Sequence, residues 1–414
     1  MKKKNSFRKL FLLLNPVIFV GIMFGSCRSA KTSLPGVQYI EPDSETATAL
    51  ATVVGDVPLA FTNQIFPFDA DGNLIGAADP VVQVEQVFKN LEAVLQSAGA
   101  NLSGLARIHF YLNDNSLYEK VLQRMAEVLP EGSHPAVTFI SGGQPRPGVM
   151  VSMDVVAVAP QQAVEDRVSL FRTEEIFGPE NRSQLAVLAP GRKVFISGQA
   201  EVGENLSGAT INTMRNLFAT LAYIGADASD VVQVKAFINP IANAKAIEAD
   251  IASFFRNRNA PPIVTVEWLL EPNRAEIELI AAAPAEPSPT EAVGYYAPTW
   301  MNQATTFSRL VDIHRGGLLF TSGLYGQGET DGEEQARHIF KTLTRILEEA
   351  GSDYDHLVKA TYYPSGEDGR KGLVNVRTAF YNPKRPPAAS LIRVKGTGRP
   401  GTGLTVDMIG VVPE

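Results

Sequence analysis

Glu276 and Glu278 occupy alternate positions of the run 275–279, so an extended strand would present both carboxylates on one face. Such a face fits either a ligand cleft, where an acid handles water or a proton, or an open solvated rim. Other chemistry finds little support. The five histidines, His109, His134, His314, His338 and His356, lack metal-ligand spacing, and surface or capping roles suit them better, so no metal is expected. No Ser sits in a Gly-x-Ser-x-Gly elbow, and Cys27 is the chain's single cysteine, which leaves no evident nucleophile. No glycine-rich phosphate loop leads from a strand into a helix; the glycines from Gly396 to Gly403 lie between two terminal strands and read as a hairpin loop. No cofactor is expected.

The elements that must position these residues are written three times. Leu91, Leu217 and Leu343 are spaced by 126 residues, as are Leu95, Leu221 and Leu347, and Gly99, Gly225 and Gly351. A period this long describes duplicated globular domains, because solenoid units are far shorter. The leucines belong to an amphipathic helix; in the first copy Asp79 and Pro80 open it and Gly99 stops it. Such a stripe is a core face and is assigned no function. A β-rich run follows at 105–112, 231–238 and 357–363, then a second helix at about 117–129, 242–258 and 369–381. Final strands are expected at 150–158, 275–283 and 404–412, and two strands precede the first helix. The order ββαβαββ is an α+β fold with two helices on one face of a mixed sheet. A neighbouring copy is the natural cover for the other face.

Composition sets outer limits. The chain of 414 residues is 45% apolar and 20% charged, with 37 basic and 44 acidic side chains and a net charge of −7. That balance disfavours nucleic-acid binding through a basic face. At the N-terminus, Lys2, Lys3, Lys4, Arg8 and Lys9 precede an apolar stretch over 10–24 that is short for a spanning helix and ends at Gly25-Ser26-Cys27. Small residues before the only cysteine resemble a bacterial lipobox, so residues 1–27 are expected to be a lipoprotein signal peptide with Cys27 as the lipid anchor; Phe24 replaces the usual Leu. Residues 28–43 read as a tether. The copies then span 44–160, 165–285 and 295–414. A bacterial envelope location on a lipid-anchored membrane face follows from this reading.

Phe195-Ile196-Ser197-Gly198-Gln199, the Asn216-Leu217 helix ending at Gly225, Phe254-Phe255, Pro261-Pro262 and the strand from Glu276 to Ala281 together resemble the Rid family, also called YjgF-like. The second copy matches best, the third, with Phe320 to Gly323, is intermediate, and the first is weakest. The resemblance implies a chorismate-mutase-like ββαβαββ fold, a trimer with clefts between subunits, and imine or enamine deaminase chemistry. Three tandem copies would supply that trimer within one chain, so a monomer acting as an intrachain pseudo-trimer is expected.

The same resemblance locates the chemistry and shows what has changed. Its substrate-anchoring Arg maps to Val137, Ile263 and Ala389, none of them cationic. Its water-handling Glu maps to Ser152, Glu276 and Thr405, making Glu276 the single catalytic candidate. Its early aromatic residue maps near Ala47, Arg182 and Phe307, and its Ser-Gly-Gln strand to Ser197, Gln199 and Ser322; Arg182, Phe307, Ser197, Gln199 and Ser322 are therefore ligand-binding candidates. Losing the bidentate guanidinium removes orientation as well as charge. The expectation is a non-canonical Rid lipoprotein that binds a small metabolite at clefts between copies. The runner-up is a deaminase or related hydrolase acting on C=N with another anchor, Arg182 foremost; a third reading is an envelope interaction module. The ribonuclease activity ascribed to some members fits an acidic, exported chain poorly.

Overall fold

The structure is a computed structural model that describes residues 36–159, 166–256, 258–270, 272–286, 289–302, 304–326 and 331–413. Cys27 and the leader lie outside them. The described residues form one compact body. Its first unit runs β1 (Val37–Asp43), β2 (Thr48–Val54), β3 (Leu59–Thr62), α1 (Pro80–Gln96), β4 (Leu105–Leu112), α2 (Tyr118–Val128), β5 (Ala136–Ser141) and β6 (Val151–Val158). The second runs β7 (Val168–Phe171), β8 (Leu185–Leu188), β9 (Lys193–Gln199), α3 (Leu206–Tyr223), β10 (Val231–Asn239), α4 (Ala244–Ala252), β11 (Ile263–Glu267) and β12 (Arg274–Ala282). The third runs β13 (Val293–Tyr296), β14 (Leu310–Ile313), β15 (Gly317–Thr321), β16 (Leu324–Tyr325), α5 (Gly332–Glu349), β17 (Leu357–Pro364), α6 (Glu367–Arg377), β18 (Ala388–Leu391) and β19 (Leu404–Val412).

The repeat is a repeat of caps as well as of core. Asp79, Asn205 and Asp331, again 126 apart, accept a hydrogen bond from the first-turn amides of Val81, Gly208 and Glu334 at 2.9 Å each. Gly99, Gly225 and Gly351 end the same helices at φ of 66°, 75° and 72°, a region that disfavours side chains. Between cap and stop, Leu91, Leu217 and Leu343 are fully buried. Each contributes roughly 1.5–3 kcal/mol through burial. The second helices are shorter than their apolar text suggests: α4 gives way at Ser253–Phe255 to a 3-10 turn that tucks Phe255 into the core.

Each sheet has two differently covered faces. One face packs on that unit's own helices in a separate core. The opposite faces of all three meet in a shared core that includes Phe61, Phe195 and Phe320. Strand pairing closes the ring: β3 pairs with β8, β9 with β14, and β15 with β2, all antiparallel. Within each unit a β-bulge early in β4, β10 and β17, at Leu105/Arg107, Val231/Gln233 and Leu357/Lys359, resets the alternation. It turns polar side chains inward just after an apolar one.

Three expectations need correction. Residues 37–43, read as the end of a tether, form β1 paired along β2, because Val37 and Ile40 bury against the body. The loop 392–403 is not a hairpin: β18 and β19 lie on opposite sides of β17, and the loop reaches the first unit, where Ser141 and Gly396 exchange backbone bonds of 2.9 and 3.1 Å. The open-rim reading of the β12 carboxylates also falls, since β12 runs between β10 and β9 and not along a sheet edge.

Candidate functional site

Strand register makes the sequence correspondences exact in space. Ser152, Glu276 and Thr405 stand opposite Tyr111, Phe237 and Tyr363 on the neighbouring strand. Val137, Ile263 and Ala389 pair with Ile108, Val234 and Ala360 and so occupy one equivalent position. The amides of Asn63, Ser197 and Ser322 bond to the carbonyls of Gln184, Arg309 and Leu50, which aligns Arg182 and Phe307 with Thr48 rather than with Ala47.

These positions meet at three joints between units. Where unit 2 meets unit 3, the Ser197 hydroxyl donates to the Ser308 carbonyl at 2.6 Å and accepts from the Ala389 amide at 2.7 Å. Where unit 3 meets unit 1, Ser322 does the same with Ala49 at 2.6 Å and Val137 at 2.7 Å. Both hydroxyls are therefore committed to holding the ring shut. Gln199 points back to its own helix, donating to Thr220 at 3.2 Å. Phe307 lies under the Arg309 guanidinium, 4.9 Å from its ring centre.

Glu276 sits at the joint of units 2 and 3. A side chain on Gly198 would collide with it, so the Ser-Gly-Gln glycine makes its room. Burial, then repulsion from Glu278, pushes its carboxyl up to about 8, against the pull of Lys359 and of hydrogen bonds from Ser390 and Leu391. Glu278, buried beside it, pairs with Lys359 at 2.8 Å and accepts from Ser390. In unit 1 the equivalent Ser152 is held in a neutral chain, accepting from Gln64 at 2.9 Å and donating to Gln144 at 2.8 Å. In unit 3, Thr405 donates to the Leu324 carbonyl at 3.3 Å.

At the joint of units 1 and 2 the place of Ser197 and Ser322 is taken by Asn63. A cavity of roughly 400 Å³ lies there, between the end of β3, the loop carrying Arg146, the segment 176–184 and α4. Arg146 from unit 1 and Arg182 from unit 2 both donate to one oxygen of Glu248, at 2.6 Å each. The other Glu248 oxygen accepts from Thr265 at 3.2 Å. Asn63 Oδ1, Ser183 Oγ and Arg182 Nε, all on residues lining the cavity, are buried without a hydrogen-bond partner. The structure thus places Arg182 in one cleft and Glu276 at another joint, and it does not bring them together. Asn63 stands where the other two units have Ser197 and Ser322; Arg146 and Glu248 escaped the sequence reading because neither repeats at 126 residues.

Elsewhere, Glu286, Asp312 and His314 hold ligand atoms within 4.8 Å of one another. Arg192 already grips Asp312, its Nε 2.9 Å from Oδ1, so a guanidinium fills the place of a cation.

Comparison with known proteins agrees with the three units. The Endoribonuclease L-PSP family model matches residues 46–159, 179–283 and 299–412. Similar solved structures include a YjgF-family protein from Neisseria meningitidis, 23% identical over 30% of this chain and 96% of that one, with a TM-score of 0.22. A Rid-family protein of unknown function from Yersinia pestis is 23% identical over 30% of this chain and 98% of that one, TM-score 0.27. A putative endoribonuclease from Thermotoga maritima is 20% identical over 29% and 96%, TM-score 0.23.

Proposed function

Because the chain belongs to the Endoribonuclease L-PSP family, also known as YjgF or Rid, we propose that it is a non-canonical member that binds a small metabolite in the cleft between units 1 and 2. The observation carrying this reading is that open cavity, whose wall holds buried polar atoms with no partner in the protein. Buried polar groups left unbonded cost about 1–3 kcal/mol each, and a ligand that satisfies them recovers that cost. The other two joints spend their serines on backbone groups. Imine hydrolysis is not proposed: Val137, Ile263 and Ala389 offer no carboxylate anchor, and the surviving acid, Glu276, does not line the cleft that holds Arg182. That separation also weighs against the deaminase alternative in which Arg182 replaces the missing anchor.

Gly178 provides a clean test. It lines the cleft, and a Cβ there would make only ordinary contact, 3.6 Å from Gln184. A metabolite screen on residues 36–414 should yield compounds that raise the melting temperature; at a hundredfold excess over Kd, one-site binding stabilises by about 2.7 kcal/mol. Gly178→Phe should fold normally and lose those shifts. Compounds that stabilise the blocked variant equally would show that the site lies elsewhere.

We further propose that Cys27 is lipidated and that one chain, closed on itself, is the working unit in the cell envelope. Support comes from the sequence around Cys27 and from the ring of inter-unit strand pairs. Cells fed a labelled fatty acid should label the full chain and not Cys27→Ser, and light scattering of residues 36–414 should report one chain per particle. Equal labelling of both chains, or a stable trimer of chains, would contradict these assignments.

A further inference from the structure

The walls of the cleft between units 1 and 2 carry more information than its presence. We infer that its ligand is an aromatic anion bearing a hydrogen-bond donor, a deduction that rests on reading this cleft as the binding site. Charge argues first. Arg146, Arg182 and Lys245 face a single lining carboxylate, Glu248. One Glu248 oxygen holds both guanidiniums, and Thr265 fixes the other oxygen, so Glu248 orients the arginines without neutralising the pair. An exposed Lys245 adds a further positive charge at the mouth. A neutral ligand would leave this excess uncompensated in a half-enclosed space, where attraction for an anion is strengthened. Arg182 Nε, buried and unpartnered, is a donor still to be used.

Shape argues next. Phe66, Phe68 and Phe177 form a chain of rings with centroids 6.1 Å apart at both steps, the first tilted and the second edge-on, and Arg146 lies 5.1 Å from the centre of Phe66. Phe177 is 57% exposed, an unusual place for a large aromatic unless something covers it. A flat apolar body would stack in this row. Asn63 Oδ1 is an unfilled acceptor, and Ser183 Oγ can accept or donate a hydrogen bond, which calls for a hydroxyl or N–H on the ligand. A volume of roughly 400 Å³ holds a ring with its substituents and exceeds what a two- or three-carbon acid would fill.

Calorimetry with three matched probes tests this: 4-hydroxyphenylacetate, its neutral amide 4-hydroxyphenylacetamide, and propanoate, which keeps the charge and lacks the ring. On residues 36–414 the aromatic acid should bind at least about tenfold more tightly than either of the others, the scale of one charge-assisted hydrogen bond. Lys245→Glu, a change at an exposed side chain, should weaken the acid several-fold and leave the amide unchanged. Amide binding as tight as the acid, with both lost in Gly178→Phe, would overturn the anionic class and leave the cleft as the site. Propanoate binding as tight as the aromatic acid would overturn the aromatic class. If none of the probes bound while screened metabolites still shifted the wild-type protein and not Gly178→Phe, the ligand class would be wrong and the site right; loss of the screen's blocker dependence would sink the site itself.

Discussion

Lys235→Met should destabilise the protein by roughly 3–5 kcal/mol, the usual cost of removing one partner from a buried ion pair. Lys235 lies inside the ring, its Nζ 3.2 Å from Asp154 and 3.0 Å from His109 Nδ1. His109 Nε2 in turn lies 3.2 Å from Asp407, so one lysine links acids from units 1 and 3 through a histidine. Around them, Arg107, Lys235 and Lys359 balance Asp154, Glu278 and Asp407, all buried. Burial alone would raise the Asp154 carboxyl, but Lys235, His109 and Arg107 outweigh it and hold it far below the usual range. The Tyr111 hydroxyl, which donates to Asp154, is pushed well up by burial and by that carboxylate, and so keeps its proton. Without Lys235 the Asp154 charge stays buried and loses its nearest cation. Urea unfolding of residues 36–414 measures the loss, and the Lys235→Met/Asp154→Asn pair should recover most of it. A single variant as stable as wild type would mean that the buried charges do not hold the units together.

Glu276→Gln should act in the opposite sense and only at high pH. A carboxyl raised from 4.5 to about 8 binds its proton more tightly in the folded chain. Its stabilising contribution is therefore complete below pH 4.5 and lost as pH rises through 8. The full shift would correspond to nearly 5 kcal/mol; because the side chain is only partly buried, about 2 kcal/mol is expected to be felt. Gln keeps the neutral polar shape and removes the titration. Wild type and variant should be equally stable at pH 3.5, and the variant more stable by about 2 kcal/mol at pH 9, read from urea midpoints at each pH. A variant less stable than wild type at pH 9 would mean that the ionised acid is wanted there, as an active base would be.

Much of the fold is legible in the sequence because a core demands the same residue type wherever the same geometry recurs. Leu91, Leu217 and Leu343 fill one position, and Gly99, Gly225 and Gly351 end one helix type. The alignment of Val137, Ile263 and Ala389 follows from the same register. The ionic interior is harder to read. Arg107 and Gln233, like His109 and Lys235, keep the spacing of 126, but alternating polar residues on a strand ordinarily mean a solvated face. Only closure of the ring turns that face inward. The cleft is legible only in part, through Arg182: Arg146 and Glu248 stand 102 residues apart in different units, in a loop and a helix that do not correspond. Packing alone brings them to one carboxylate oxygen.

The proposed function rests on the cavity between units 1 and 2 and on the absence of Glu276 from its lining. The direct measurement is the rate at which residues 36–414 hydrolyse enzymatically generated 2-iminopropanoate and 2-iminobutanoate. No acceleration over the uncatalysed reaction is predicted, with Glu276→Ala indistinguishable from wild type. Turnover by the wild-type chain that Glu276→Ala abolishes would contradict it.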